Sequence, residues 1–307
     1  MISVSNLSKK YDSQQALNGI NFEIKEGEFF GLLGPNGAGK TTTISIMSTI
    51  LEPSGGVVKI DGLDVASKSA ECKRRIGVVP QEIALYNELS AYQNLLFWGS
   101  LYDVPKPELK KRIEEILKLF GLWDRKDDKV KTYSGGMKRR INIASALLHQ
   151  PKVLFMDEPT VGIDPQSRNL IYEVIKKLHK DGMTIVYTTH YMEEAERFCD
   201  RIAIIDNGQI IAQGSLEELK NSVAIKETIV ISFSNLTEEF LKQILAKNKD
   251  VKQVDDSLQF FSLNAKNDLS KIILQCNEIG LEILQIEIQK VNLETIFLNL
   301  TGKQLRD

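Results

Sequence analysis

Residues 29–41, Phe29-Phe30-Gly31-Leu32-Leu33-Gly34-Pro35-Asn36-Gly37-Ala38-Gly39-Lys40-Thr41 (FFGLLGPNGAGKT), run from apolar residues into a glycine-rich loop. The chain then continues as the helix-forming TTISIM. The last eight residues fit G-x-x-x-x-G-K-[ST], and the strand before and the helix after supply the context that gives the pattern meaning. Glycines let the backbone wrap tightly enough for its N–H groups to face phosphate oxygens. Lys40 is placed to give a point charge to β- and γ-phosphates, and Thr41 to give a hydroxyl to Mg²⁺. Thr42, one position further into the helix, is placed on the α-phosphate side. The stretch therefore predicts a nucleotide site built on an α/β core of the P-loop type.

Working outward, strand-like runs surround the loop: ISVSNL, GINFEI, the pair within GGVVKIDGLDV, and RRIGVVP. GKTTTISIMSTIL reads as the helix after the loop. From about Ile83 to Ile143 the character turns helical. In PELKKRIEEILKLFGL, residues Ile113, Ile116, Leu117 and Phe120 recur at i, i+3, i+4 and i+7, which is a core-packing stripe. Apolar strands then return as KVLFMDEP, MTIVYTTH and DRIAIIDNGQIIAQG, separated by helices such as PQSRNLIYEVIKKLHKDG. This alternation predicts a parallel sheet covered on both faces.

The second half of the nucleotide site is VLFMDEP, Val153–Pro159, where two carboxylates follow a buried strand at its carboxyl end. Asp157 is placed to hold Mg²⁺ through water, and Glu158 to polarise an attacking water as a general base. Two groups are candidates to sense the γ-phosphate. Gln81 follows IGVVP, and its amide can reach both metal and water; His190 closes MTIVYTTH, again at a strand's carboxyl end. His149 and His179 read as structural. Tyr11 can stack on adenine, although a core or surface tyrosine is the plainer reading of it alone.

Composition narrows the remaining classes. The 307 residues are 42% apolar and 26% charged, enough for one large domain and a smaller one. A net charge of −2 offers no general attraction to nucleic acid or to an anionic membrane. Cys72, Cys199 and Cys276 are odd in number and widely spaced, so they are expected to be reduced residues outside any disulfide or metal site. MISVSNLSKKYD lacks the apolar core and cleavage site of a signal peptide. No apolar run approaches the roughly 18 residues of a membrane span, so any membrane role is expected to fall to a partner.

One stretch remains unexplained by a single nucleotide site. Thr132–Arg140, TYSGGMKRR, is a second helix start open to an anion: a hydroxyl, two glycines and a basic turn. With VLFMDEPTVGIDP about 25 residues on and a histidine at the next strand end, it resembles the nucleotide-binding subunit of ABC transporters. The resemblance covers roughly residues 1–220. It includes the Walker A loop, the Q-loop at Gln81, the Ser134-Gly135-Gly136 signature, Walker B, the D-loop and the switch histidine, all in order. It implies a RecA-like P-loop core carrying an antiparallel β subdomain and an inserted helical subdomain at about residues 83–143. It also implies that the signature helix serves the ATP of a second subunit in a head-to-tail dimer, most simply a homodimer. By matching positions, Ser134 and Gly136 would then meet the γ-phosphate in trans and Asp164 would bridge the subunits. Tyr133 and Met137 depart from the common L-S-G-G-Q pattern, which puts one ribose or phosphate contact in question.

The family's permease docks on the helical subdomain near the Gln81 loop, where EIALYNELSAYQNLLFWGSLY carries exposed-looking aromatics. The resemblance thus implies a peripheral ATPase on the cytoplasmic face of the cell membrane. Residues 221–307 order as βαββαβ plus a terminal helix, predicting a small ferredoxin-like α+β domain. The ending LETIFLNLTGKQLRD is similar to that of ATPases serving drug, antibiotic, lipid or polysaccharide exporters. An importer ATPase is the near alternative. A soluble ABC protein acting on ribosomes or DNA is the distant one, since the chain has one signature, no long heptads and no basic patch.

Overall fold

The computed structural model describes residues 1–223, 227–248, 251–254, 257–262, 265–289 and 291–301, with backbone alone for 245–247. The chain opens on strands β1 (Ile2–Tyr11), β2 (Gln14–Ile24) and β3 (Phe29–Leu33), the last buried throughout. Helix α1 (Lys40–Met47) follows the glycine loop. Strands β4 (Gly55–Ile60) and β5 (Leu63–Asp64) then join the first two in an antiparallel sheet of order β2-β1-β4-β5. Helix α2 (Ser69–Lys73) leads to β6 (Ile76–Val79), and three helices follow: α3 (Ala91–Ser100), α4 (Lys106–Leu119) and α5 (Gly135–Ser145). Next come β7 (Val153–Asp157), α6 (Pro165–Lys180), β8 (Thr184–Thr189), α7 (Met192–Phe198), β9 (Arg201–Asp206) and β10 (Gln209–Gly214).

The central sheet has the order β10-β9-β3-β8-β7-β6. Its strands are parallel except β10, which runs antiparallel to β9. Alternation along each strand divides the core in two. Phe29, Leu154, Met156, Ile185 and Tyr187 face the helical side, packing with residues of α3 to α7. Phe30, Leu32, Val153, Phe155 and Val186 face α1 and the antiparallel sheet. Because β3, β7 and β8 are parallel neighbours, their carboxyl ends lie on one edge, and that edge carries the glycine loop, Asp157 and His190.

The α4 stripe packs as its spacing predicts: Ile113, Leu117 and Phe120 are buried, and Ile116 is half-buried against the same cluster. Two boundaries differ from the sequence expectation. Helix α1 stops at Met47 rather than continuing to Leu51, because Thr49 takes φ 62°, a left-handed conformation a helix does not contain. Residues 81–89 form no helix. Asn94 of α3 holds that loop instead, accepting from the Tyr86 N–H (2.8 Å) and donating to the Tyr86 carbonyl (3.0 Å) and the Ser90 carbonyl (2.9 Å).

The chain divides into two compact units after Leu216. LEELKNS, which spans the division expected near residue 220, is helix α8 (Leu216–Ser222). The second unit contains β11 (Glu227–Phe233), α9 (Glu238–Lys247), β12 (Val251–Val254), β13 (Ser257–Ser262), α10 (Ala265–Glu278), β14 (Ile283–Gln289) and α11 (Leu293–Thr301). Its sheet is antiparallel in the order β12-β13-β11-β14, the split βαβ arrangement. Ile229, Ile231 and Phe233 of β11 bury against Ile244 of α9 and Ile272 and Cys276 of α10. Residues 302–307, the end of the tail motif, lie outside the described residues.

Candidate active site

The glycine loop is built so that only glycine fits at two of its positions. A Cβ on Gly34 would lie 2.2 Å from the Ile205 carbonyl oxygen, and one on Gly39 would lie 2.7 Å from Leu17 Cδ2. Gly39 also takes φ 109° where it caps α1, and no side chain caps that helix. The first-turn N–H groups of α1 therefore have no intrahelical partner and face the loop, the arrangement that receives an anion. Pro35 is half-buried, Asn36 and Gly37 are exposed and Ala38 is buried. Thr41 is exposed at the first turn of α1, Thr42 is half-buried, and the Gly34 N–H donates to the Thr189 carbonyl at 3.4 Å.

Lys40 is buried to 4% exposure, and its ammonium donates to the carbonyls of Gly34 (2.7 Å) and Pro35 (3.0 Å). It also pairs with Glu158 at 3.0 Å, while His190 Nδ1 approaches the other oxygen of Glu158 at 3.3 Å. Among the described residues that buried imidazole nitrogen has no hydrogen-bond partner, so the two groups lie close without a hydrogen bond. Asp157 accepts from the Thr188 hydroxyl at 2.6 Å, and the Glu158 N–H donates to the same hydroxyl at 3.0 Å. Glu158 takes φ 45°, a conformation uncommon for a non-glycine residue and concentrated at functional sites. Lys40 and His190 thus meet at Glu158, and Asp157 stands beside it through the shared Thr188 hydroxyl. Tyr11 ends β1 at 44% exposure, with Lys9 Nζ 5.3 Å from its ring centre.

The signature residues form a second centre. Ser134 is the N-cap of α5, its hydroxyl accepting from the Met137 N–H at 3.2 Å, and both Ser134 and Gly135 are exposed. Gly136 is buried where α5 meets the start of α6: a Cβ there would sit 2.0 Å from Ser167 Oγ and 3.1 Å from Asp164 Oδ2. Asp164 caps α6, accepting from the Ser167 N–H at 2.9 Å, and that hydrogen bond holds its carboxyl below the usual range. Among the described residues, no hydrogen bond or ion pair joins Ser134, Gly135 or Gly136 to the glycine loop of the same chain. The departure at Tyr133 has a structural account. Its ring is buried in the helical core and its hydroxyl donates to the Arg125 carbonyl at 2.5 Å, so it points away from the exposed Ser134 and Gly135. Met137 is half-buried against the same core.

Sequence reasoning missed the tie between the signature helix and the Gln81 loop. Arg139, on the buried face of α5, donates to the Pro80 carbonyl at 2.7 Å and also to the Gln81 carbonyl. Asn142 of α5 accepts from the Ala84 N–H at 3.2 Å. The Gln81 side chain is exposed while its backbone is fixed to the signature helix. The basic turn KRR was the only available signal, and a basic turn ordinarily reads as solvated. Near the same loop, the rings of Tyr86 and Phe97 meet edge-on at 5.0 Å and both are substantially exposed, whereas Tyr92 and Trp98 are half-buried against the core.

Comparison with known proteins agrees with this geometry. The family model described as ABC transporter matches residues 17–161. The linearmycin resistance ATP-binding protein LnrL of Bacillus subtilis (strain 168) is 45% identical over 311 residues, covering all of both chains. The daunorubicin/doxorubicin resistance ATP-binding protein DrrA of Streptomyces peucetius is 34% identical over 309 residues, covering 100% of this chain and 94% of its own. Among solved structures, the dimeric post-hydrolysis ATP-binding cassette MJ0796 bound to ADP and Pi superposes with a TM-score of 0.65 at 30% identity, covering 70% of this chain and 98% of its own. Among the described residues no helix is long and apolar enough to cross a membrane. End-to-end identity of 45% to one ABC-transporter-type ATP-binding protein and 34% to another, with the matching family model, shows that this chain is an ABC ATPase and belongs to the ATP-binding subunits of ABC transporters.

Proposed function

We propose that the chain is the motor subunit of an exporter, hydrolysing Mg-ATP between two copies of itself and driving a separate membrane permease from the cytoplasmic face. The observation that carries export is the 45% identity, end to end, to an antibiotic-resistance ATP-binding protein. Resemblance of the tail points the same way. The substrate is then of the class handled by antibiotic-resistance exporters, and its selection lies with the permease.

ATP would lie along Gly34–Thr42 with its base against Tyr11. Its phosphates would draw Lys40 away from Glu158, leaving that carboxylate free to accept a proton from the attacking water. A general base of this kind contributes about 10²–10⁴-fold. His190, beside Glu158, would hold the γ-phosphate end, and Gln81 would report the γ-phosphate to the permease through the loop that Arg139 anchors. The oxygen donors Thr41, Asp157 and Gln81 suit Mg²⁺. Among the described residues no group of three or more His, Cys, Asp or Glu could hold a metal, and Mg²⁺ commonly takes one or two carboxylates and completes its shell with substrate phosphates and water. Bound there, Mg²⁺ would neutralise charge on the β- and γ-phosphate oxygens.

The exposed Ser134 and Gly135 would cap the γ-phosphate of the second copy, with Asp164 at the same junction. The permease would dock on the aromatic surface around Tyr86 and Phe97. The reading is tested by co-expressing the chain with a polytopic membrane protein encoded beside its gene. The two should co-purify from membranes, and Tyr86→Ala/Phe97→Ala should release the ATPase with its basal hydrolysis intact. Failure to co-purify with any such protein, with hydrolysis present, would reject the transporter assignment of the partner surface.

A further inference from the structure

Behind the catalytic edge lies a carboxylate that neither nucleotide binding nor hydrolysis, as described, employs. Glu194 of α7 is 5% exposed and accepts hydrogen bonds from four neutral hydroxyls. One oxygen takes Thr160 at 2.7 Å and Tyr172 at 2.5 Å; the other takes Tyr187 at 2.9 Å and Thr189 at 2.8 Å. Among the described residues no ion pair gives it a cation; its stabilisation comes from these donors. Hydrogen bonds to a charged acceptor are the stronger kind, and four of them satisfy a carboxylate that burial would otherwise disfavour.

The positions of those donors matter. Thr160 stands two residues after Glu158, and Thr189 immediately precedes His190. Thr189 also accepts from the Tyr191 N–H at 2.9 Å, which fixes the turn on the far side of the histidine. Tyr187 lies within β8, and Tyr172 reaches in from α6. Both phenols are held well above the usual tyrosine range, by burial first and by the neighbouring carboxylate next, so they stay protonated as donors. Glu194 therefore ties the segment leaving Glu158 to the segment carrying His190, which face each other across 3.3 Å.

We infer that Glu194 is a positioning residue for hydrolysis, setting the spacing between Glu158 and His190 through Thr160 and Thr189. The inference rests on the proposed roles of those two residues. Misplacing a catalytic group by about 1 Å costs up to about 10²-fold in rate, so Glu194→Gln should lower kcat about tenfold or more while leaving the affinity for Mg-ATP within about twofold. Thr160→Val and Thr189→Val, which remove donors from the two catalytic segments, should each lower kcat with the same unchanged affinity. Tyr172→Phe removes a donor that lies on α6, outside both segments, and a contact with the Thr160 hydroxyl, while the hydrogen bonds from Thr160 and Thr189 to Glu194 stay in place. It should lower the melting temperature as much as Thr160→Val does, with kcat close to wild type.

The assay is steady-state hydrolysis, nucleotide affinity by fluorescence and thermal melting of the full chain, all on the same preparations. A kcat that falls in step with melting temperature across all four variants, Tyr172→Phe included, would overturn the positioning role, as would a Glu194→Gln enzyme with wild-type kcat. Should Glu194→Gln not fold, the two threonine variants decide against Tyr172→Phe alone. Wild-type hydrolysis by Glu158→Gln would instead sink the underlying assignment of the base, so the two failures are told apart.

Discussion

Gly136 is the residue whose replacement the structure makes most quantitative. An added methyl would sit 2.2 Å from Ser167 Cβ and 2.0 Å from its Oγ, against the 3.4 Å at which ordinary contact begins. Ser167 Cβ is fixed to the backbone of α6, so rotamer change cannot relieve the overlap and α5 and α6 must part by about an ångström. Overpacking of this kind costs about 1–3 kcal/mol. Strain on the Asp164 cap adds up to about 2 kcal/mol. Gly136→Ala should therefore destabilise the first unit by about 2–4 kcal/mol, and at about 2–4 °C per kcal/mol for a unit of this size its melting temperature should fall by roughly 5–15 °C. Ser167→Gly removes both clashing atoms but keeps the backbone N–H that Asp164 accepts. In the double variant most of the loss should return, and the coupling is read from a double-mutant cycle by thermal melting. If Gly136→Ala melted with wild type, or if the two effects simply added, the close approach of these helices would not be what requires glycine.

Three further outcomes follow from other contacts. Tyr133→Phe should cost about 1 kcal/mol of stability, through loss of the hydrogen bond to Arg125, and leave hydrolysis near wild type, because the ring is buried away from the exposed Ser134. Arg139→Met leaves the Pro80 and Gln81 carbonyls without their donor. Hydrogen exchange should accelerate over residues 81–89, with a stability loss of about 1–3 kcal/mol. His149 supplies a pH dependence. Its Nε2 lies 2.8 Å from the Ile76 carbonyl, its Nδ1 is buried with no hydrogen-bond partner among the described residues, and burial holds its pKa below the ordinary 6.5. Between the folded and unfolded pKa values the unfolded chain binds more protons. The contribution is thus fully present above pH 6.5 and is lost as pH falls through the lower folded value. A melting temperature that drops on acidification below pH 6.5 should drop less in His149→Gln; an unchanged profile would remove His149 from the account.

The parts of the site legible in the sequence are those in which one contiguous segment carries the chemistry. GPNGAGKT and VLFMDEP each place their functional residues within a strand end and the turn after it, so strand and motif predict one another. His190 was legible for the same reason. Gln81 was legible as a position, but its anchoring by Arg139 depends on two segments 58 residues apart. Glu194 looks like an ordinary acidic residue of a short helix; its four donors come from two other elements, α6 and β8, and the loop carrying Thr160. Tyr133 looks like a defect in the signature until its burial shows that the side chain serves the helical core. The fold was readable from alternation and helical periodicity, with errors where a single backbone conformation decides, as at Thr49.

The central claim is that ATP is shared between two copies through Ser134 and its neighbours, and molecular mass in solution tests it most directly. Glu158→Gln, which should bind ATP without turning it over, should pass from the 34.6 kDa of one chain to a dimer of twice that mass when ATP is added, and return to monomer when ATP is removed. Adding Ser134→Arg should keep ATP bound through Lys40 and Thr41 yet hold the protein at the monomer mass. A Glu158→Gln protein that stays monomeric with ATP bound, or one that dimerises equally well with Ser134→Arg, would contradict the account.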